Sequence, residues 1–163
     1  MPKEFLEART TASPIAQDIV NTSNDLTKSL DQVAQLDSEK KYTEAINFLT
    51  QEIARNKDIN QKAIRLSEEL GKMAMAVPNI SPVNVSQLAL RAISSETTLI
   101  SRLIAYNDYL RQLLEELRLK FLGKSVNNGK IQELIGKINE EVRIINKLNV
   151  QFNSSMDKLD GNK

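Results

Sequence analysis

Residues 42–77 read YTEAINFLTQEIARNKDINQKAIRLSEELGKMAMAV, and the spacing within this stretch decides the fold. Tyr42, Leu49, Asn56, Ala63, Leu70 and Val77 fall seven apart, which on an α-helix places them along one seam. Ala45, Ile59, Leu66 and Met73 run beside that seam, and Ile46 and Ile53 flank it. No glycine or proline interrupts the run before Gly71, and Pro78 ends it. One helix over 38–77 follows, close to ~60 Å long at ~1.5 Å per residue. A helix of this length draws its stability from packing its apolar face, since propensity alone is too weak.

Downstream, Pro78-Asn79-Ile80-Ser81-Pro82 is a turn. The next helix, over 82–123, can start at Ser81-Pro82 or at Asn84, with Gln87 as its capping-box partner. Two apolar stripes run along it. One contains Val85, Ala92, Leu99, Leu103, Tyr106, Leu110, Leu113 and Leu117, and the other Leu90, Ile93, Ile100, Ile104, Leu114 and Phe121. Together they cover more of the circumference than a surface helix needs, so this helix is central or touches two neighbours. Gly123 ends it, and Asn127-Asn128-Gly129 forms the next turn. A last helix over 129–159 carries Ile131, Ile138, Ile145, Phe152 and Leu159 seven apart.

Upstream, Ser13-Pro14 reads as an N-cap followed by proline at the first helical position. Ile15, Ile19, Thr22, Leu26, Leu30 and Val33 then trace a thin stripe, giving a first helix over 14–36 that is shorter than the others. Residues 1–12 show little periodicity and read as a loose arm. No segment alternates with period two, so no strand is supported. The expected fold is all-α: an elongated antiparallel up-and-down bundle of four helices, forming one domain over 13–160. Seams with a spacing of seven predict left-handed supercoiling.

Composition narrows the chemistry. The chain has 22 Lys and Arg against 21 Asp and Glu, a net charge of +1. No segment gathers the basic stripe that neutralises a phosphate backbone, and the few aromatics are not interleaved with arginine as a stacking platform would be. No nucleic-acid partner is therefore expected. Cysteine and histidine are both absent, which excludes disulfides, thiolate chemistry and sites ligated by Cys or His. A cytoplasmic protein is expected, because the opening residues Met1–Glu7 are too charged for a secretion signal. Nothing approaches the ~18 consecutive apolar residues of a membrane span.

No catalytic, cofactor-binding or metal-binding constellation stands out. Glu68-Glu69, Glu115-Glu116 and Glu140-Glu141 are adjacent pairs whose members point to different helix faces. Ser94-Ser95-Glu96-Thr97-Thr98 has no base to activate a hydroxyl. Gly123-Lys124-Ser125 matches the end of a phosphate-binding loop but lacks its first glycine and its strand. Lys41–Ile46 resembles a helix of a tetratricopeptide repeat or of a microtubule-interacting domain over six residues. No second copy follows at the roughly 34-residue repeat period, so no family is assigned.

Two constellations make claims that a structure can check. Asn56, Asn60, Asn107 and Asn149 lie on or beside apolar seams and would form a buried polar layer. Such a layer can hold a ligand, or it can fix helix register at some cost in stability. Leu90, Ile93, Ile100 and Ile104 would form an interaction patch if the second stripe of the third helix is exposed. The leading functional expectation is a non-enzymatic helical module acting through protein–protein contact, as scaffold, adaptor or assembly subunit, with a protein partner or self-association. The alternative is a ligand-sensing bundle that binds a small molecule between its helices.

Overall fold

The computed structural model describes residues 1–161, and of these all side chains except those of Thr27, Leu159 and Asp160. The expected seam position Leu159 and the chain end at 162–163 therefore lie outside the described residues. Four helices make up the fold: α1 (Lys3–Ser38), α2 (Tyr42–Ala76), α3 (Val83–Phe121) and α4 (Asn128–Asp160). A single 3-10 turn, Val77–Asn79, follows α2. The helices have 36, 35, 39 and 33 residues, so each is roughly 50–60 Å long. The protein is an all-α helical bundle.

Each helix packs along its neighbour in sequence: α1 on α2, α2 on α3 and α3 on α4. Side-chain partners confirm the antiparallel sense, because residue numbers fall on one helix as they rise on the next. Between α1 and α2 the partners are Asp18 with Lys62, Asp25 with Arg55 and Ser29 with Glu52. Between α3 and α4 they are Arg102 with Glu141 and Glu116 with Lys130. Among the described residues, α1 and α4 share no comparable packing.

The first helix departs from expectation. Residues 1–12 are not a loose arm, and α1 is as long as its neighbours, because it starts at Lys3 and passes through Pro14. Proline in a helix interior costs ~3 kcal/mol, since Thr10 loses the N–H its carbonyl would accept from. The compensation lies on the buried face. Phe5, Ala8 and Ala12 follow helical spacing and are buried, Phe5 completely. Full burial of one such aromatic contributes ~1.5–3 kcal/mol. Ser13 therefore caps nothing and stands exposed in mid-helix.

The connections are short and chemically legible. After α1, Lys41 donates its N–H to the Leu36 carbonyl and Lys40 to that of Asp37, with Lys40 at φ 57°. After α3 the same pair of bonds recurs: Lys124 to Leu119 and Gly123 to Lys120, with Gly123 at φ 72°. Both are left-handed helix terminators; glycine fills the position in one and lysine in the other. The Asn127 side-chain oxygen caps α4 by accepting from the Lys130 N–H at 3.2 Å. The expected capping box at the start of α3 is not used: Pro82 precedes the first residue, Val83, with no side-chain cap.

The end of the bundle that carries the α1–α2 and α3–α4 turns is closed by side chains. Tyr42 stacks on Phe121 with ring centroids 5.9 Å apart. Lys120 binds Asp37 at 3.0 Å, tying α3 to the end of α1. The opposite end is built differently, and it holds the candidate site.

Candidate functional site

At the end where α1 begins and α4 finishes, the two outer helices part over α2 and α3. The opening is a cleft of about 310 Å³. Phe5, Ala12 and Ala16 of α1 form one wall, and Phe152 and Met156 of α4 the other. Leu66, Leu70 and Met73 of α2 and Ala92, Ile93, Leu99 and Leu103 of α3 supply the floor. The opening lies between the two helices that do not pack on each other among the described residues. Ala12, Ala16 and Ala92 occupy positions where a leucine would fill the space between helices. Polar residues also line it, namely Arg9, Ser13 and Gln17 on α1 and Asn149 and Asn153 on α4.

One lining residue breaks the apolar pattern of the floor. Glu96 of α3 lines the cleft and is only 5 % exposed. It has no hydrogen-bond or ion-pair partner among the described residues. Burial pushes its carboxyl up from the usual carboxylate range to about 7. Desolvation penalises the charged form, and no cation among the described residues contributes an offsetting shift. Near neutral pH this group is therefore poised between acid and carboxylate.

Two other buried carboxyls have partners. Glu52 accepts from the Ser29 hydroxyl at 2.8 Å and from Arg55 Nη1 at 3.0 and 3.2 Å. Glu141 accepts from Arg102 Nη1 at 3.3 Å through one oxygen, while its other oxygen is buried without a partner among the described residues. Both sit between packed helices and away from the cleft lining. They read as fastenings of α1 to α2 and of α3 to α4.

The four asparagines do not form one layer. Asn56 and Asn107 meet in full burial, Asn56 Nδ2 donating to the Asn107 backbone carbonyl at 3.0 Å and lying 3.4 Å from its Oδ1. Asn107 Nδ2 donates in turn to the Leu103 carbonyl at 2.9 Å. Asn60 is half-buried one turn away from Asn56, and Asn149 is exposed at the cleft. The central pair locks α2 against α3.

The α3 patch is corrected as well. Ile93 and Ile100 are 6 % and 2 % exposed and belong to the core, and Ile104 is half-buried against it. Of the four, Leu90 alone is exposed. The physical reason is that α3 packs on both α2 and α4, so both of its stripes are consumed inside the chain.

Glu96 is not among the residues that the sequence reading singles out as a site, yet it carries a signal. Ala89, Glu96, Leu103 and Leu110 are seven apart, and all four are buried. Glu52 interrupts the run Ala45, Ile59, Leu66 and Met73 in the same way. A charge at one position of an otherwise apolar heptad seam marks a buried carboxyl.

Among the described residues, no group of three acidic side chains is arranged to hold a metal ion. No helix among them is long and apolar enough to cross a membrane. No protein-family model matches the chain, and neither curated proteins nor solved structures show a significant match.

Proposed function

We propose that this protein is a non-enzymatic helical bundle that binds a small, largely apolar molecule in the cleft between α1 and α4. The observation that carries the reading is the cleft itself: about 310 Å³, walled by apolar side chains, with one convergent buried carboxyl. That size falls at the lower end of small-molecule sites, which combine apolar walls with few polar groups. Among the described residues the cleft has no activated nucleophile and no second convergent carboxyl, so binding rather than turnover fits it. A cysteine-free chain suits a reducing compartment, and a cytoplasmic setting is part of the proposal.

The test uses N-phenylnaphthylamine, an uncharged dye that brightens in apolar surroundings, with the intact chain and with Ala16→Leu. Saturable one-to-one brightening is expected with the native chain and its loss with Ala16→Leu, whose circular dichroism should stay that of the native bundle. No brightening in the native chain, or equal brightening in a folded Ala16→Leu, would overturn the reading.

A protein-contact role, with self-association or a foreign partner, would need a surface other than the α3 patch. Ile64, Met75, Val83, Leu90 and Val150 are each more than half exposed and are the side chains such a role would draw on.

A further inference from the structure

We infer that the cleft is selective for a hydrophobic cation, a primary amine on a compact apolar body, held by an ion pair with Glu96. The inference rests on the ligand-binding reading above and adds the chemical class of the ligand.

The first ground is an unmet requirement. A buried carboxylate needs a counter-charge or several hydrogen-bond donors, and this chain supplies neither to Glu96 among the described residues. Glu52 and Glu141, the other buried glutamates, each have an arginine in contact. Glu96 differs from them by facing an open cleft. Its missing partner can therefore come from outside the chain.

The second ground is the surroundings. Among the described residues, Arg9 on α1 is the other charged group that lines the cleft besides Glu96, and the described side chains of α2 and α4 add no charge to the lining. Burial is what raises the carboxyl pKa of Glu96, and Arg9 is not among the causes of that shift. An ammonium brings three donors and no acceptor. Asn149 and Asn153 of α4, one turn apart on the same lining, carry amide oxygens suited to the N–H groups that Glu96 leaves over. Apart from Ser13 and Gln17 on α1, the remaining walls are apolar, which sets the character of the rest of the ligand: Phe5, Leu70, Met73, Phe152 and Met156 would enclose an alkyl or alicyclic body.

Alternative ligands of the same size are less well matched. An alcohol offers Glu96 a single donor and no charge. A carboxylate would place two acids together, and one of them would have to stay protonated. In an ion pair shielded from water the cation gains most, because charge-assisted bonds are roughly twice as strong as neutral ones.

The experiment is calorimetric titration of the full chain with octylamine, octanol and octanoate, which share one tail and differ in head group. Octylammonium should bind at least about tenfold more tightly than octanol at pH 8, the scale set by one charge-assisted bond. Its affinity should rise with pH until Glu96 is ionised, while that of octanol stays level. In Glu96→Gln the preference should fall to near one, with octanol binding retained. Equal binding of amine and alcohol, or a preference that survives Glu96→Gln, would overturn the cation class while leaving the cleft as a ligand site. Preference for octanoate would overturn it too. Binding of none of the three, together with silence of the uncharged dye, would remove both the class and the site.

Discussion

Glu96 shows how one residue can tie stability to pH. In the unfolded chain its carboxyl titrates near the ordinary 4.5, and in the bundle burial holds it at about 7. Between those values the folded state binds more protons than the unfolded one, so stability falls as pH rises. Above about 7 both states are ionised and the loss is complete. Its size is on the order of 3 kcal/mol, since each tenfold change in proton affinity between the two states corresponds to ~1.4 kcal/mol. Glu96→Gln keeps the shape and removes the charge. Urea denaturation at pH 5 and pH 8 should show the native chain losing stability across that interval by this order, with the Gln variant losing correspondingly less. An equal pH response in both proteins would mean that the carboxyl is hydrated. The Asn56–Asn107 pair works by another principle. It fixes the position of α2 on α3 through bonds that a one-turn slip would break, and both side chains are visible in the sequence as polar interruptions of apolar seams.

The helices differ in how well their sequences announce them. α2 and α4 carry strict seven-residue seams, and their bounds lie within a few residues of expectation. The sequence of α1 misleads because its local chemistry points the wrong way: Ser13-Pro14 has the form of a helix start, and Asn21-Thr22-Ser23-Asn24 are weak helix formers. Tertiary packing of Phe5, Ala8 and Ala12 outweighs those signals. A loose arm and a packed first turn make different demands on Phe5. Phe5→Ala should cost ~3–5 kcal/mol if the ring is core, against less than ~0.5 kcal/mol for a solvated arm. Guanidinium denaturation measures the difference, and a change near zero would return residues 1–12 to the surface. Phe5 also lines the cleft, so this element supplies a wall of the site as well as stability.

In the molecule as a whole the two ends of the bundle have different tasks. The end at the α1–α2 and α3–α4 turns is tied by Tyr42 on Phe121 and by Lys120 with Asp37. The other end opens a cleft between α1 and α4 lined in part by small side chains, and places beneath it an acid without a partner among the described residues. The class of the fold and the helix order can be read from periodicity, because long amphipathic stripes joined by short links pack most simply as antiparallel neighbours. The cleft cannot. It depends on which helix pair fails to close, and Ala12, Ala16 and Ala92 reveal this only once the helices are set side by side. The supposed α3 patch fails for the same reason, since a second stripe can face a neighbour or solvent and the sequence does not say which.

Glu96 is buried and without a partner among the described residues, and the proposal gives it a cation as ligand. Its carboxyl-carbon NMR titration, free and with saturating octylammonium, tests this most directly. The free protein should give a midpoint near 7, and the amine should lower it to the ordinary carboxylate range or below. A free midpoint near 4.5, or one that bound amine leaves unmoved, would contradict the account.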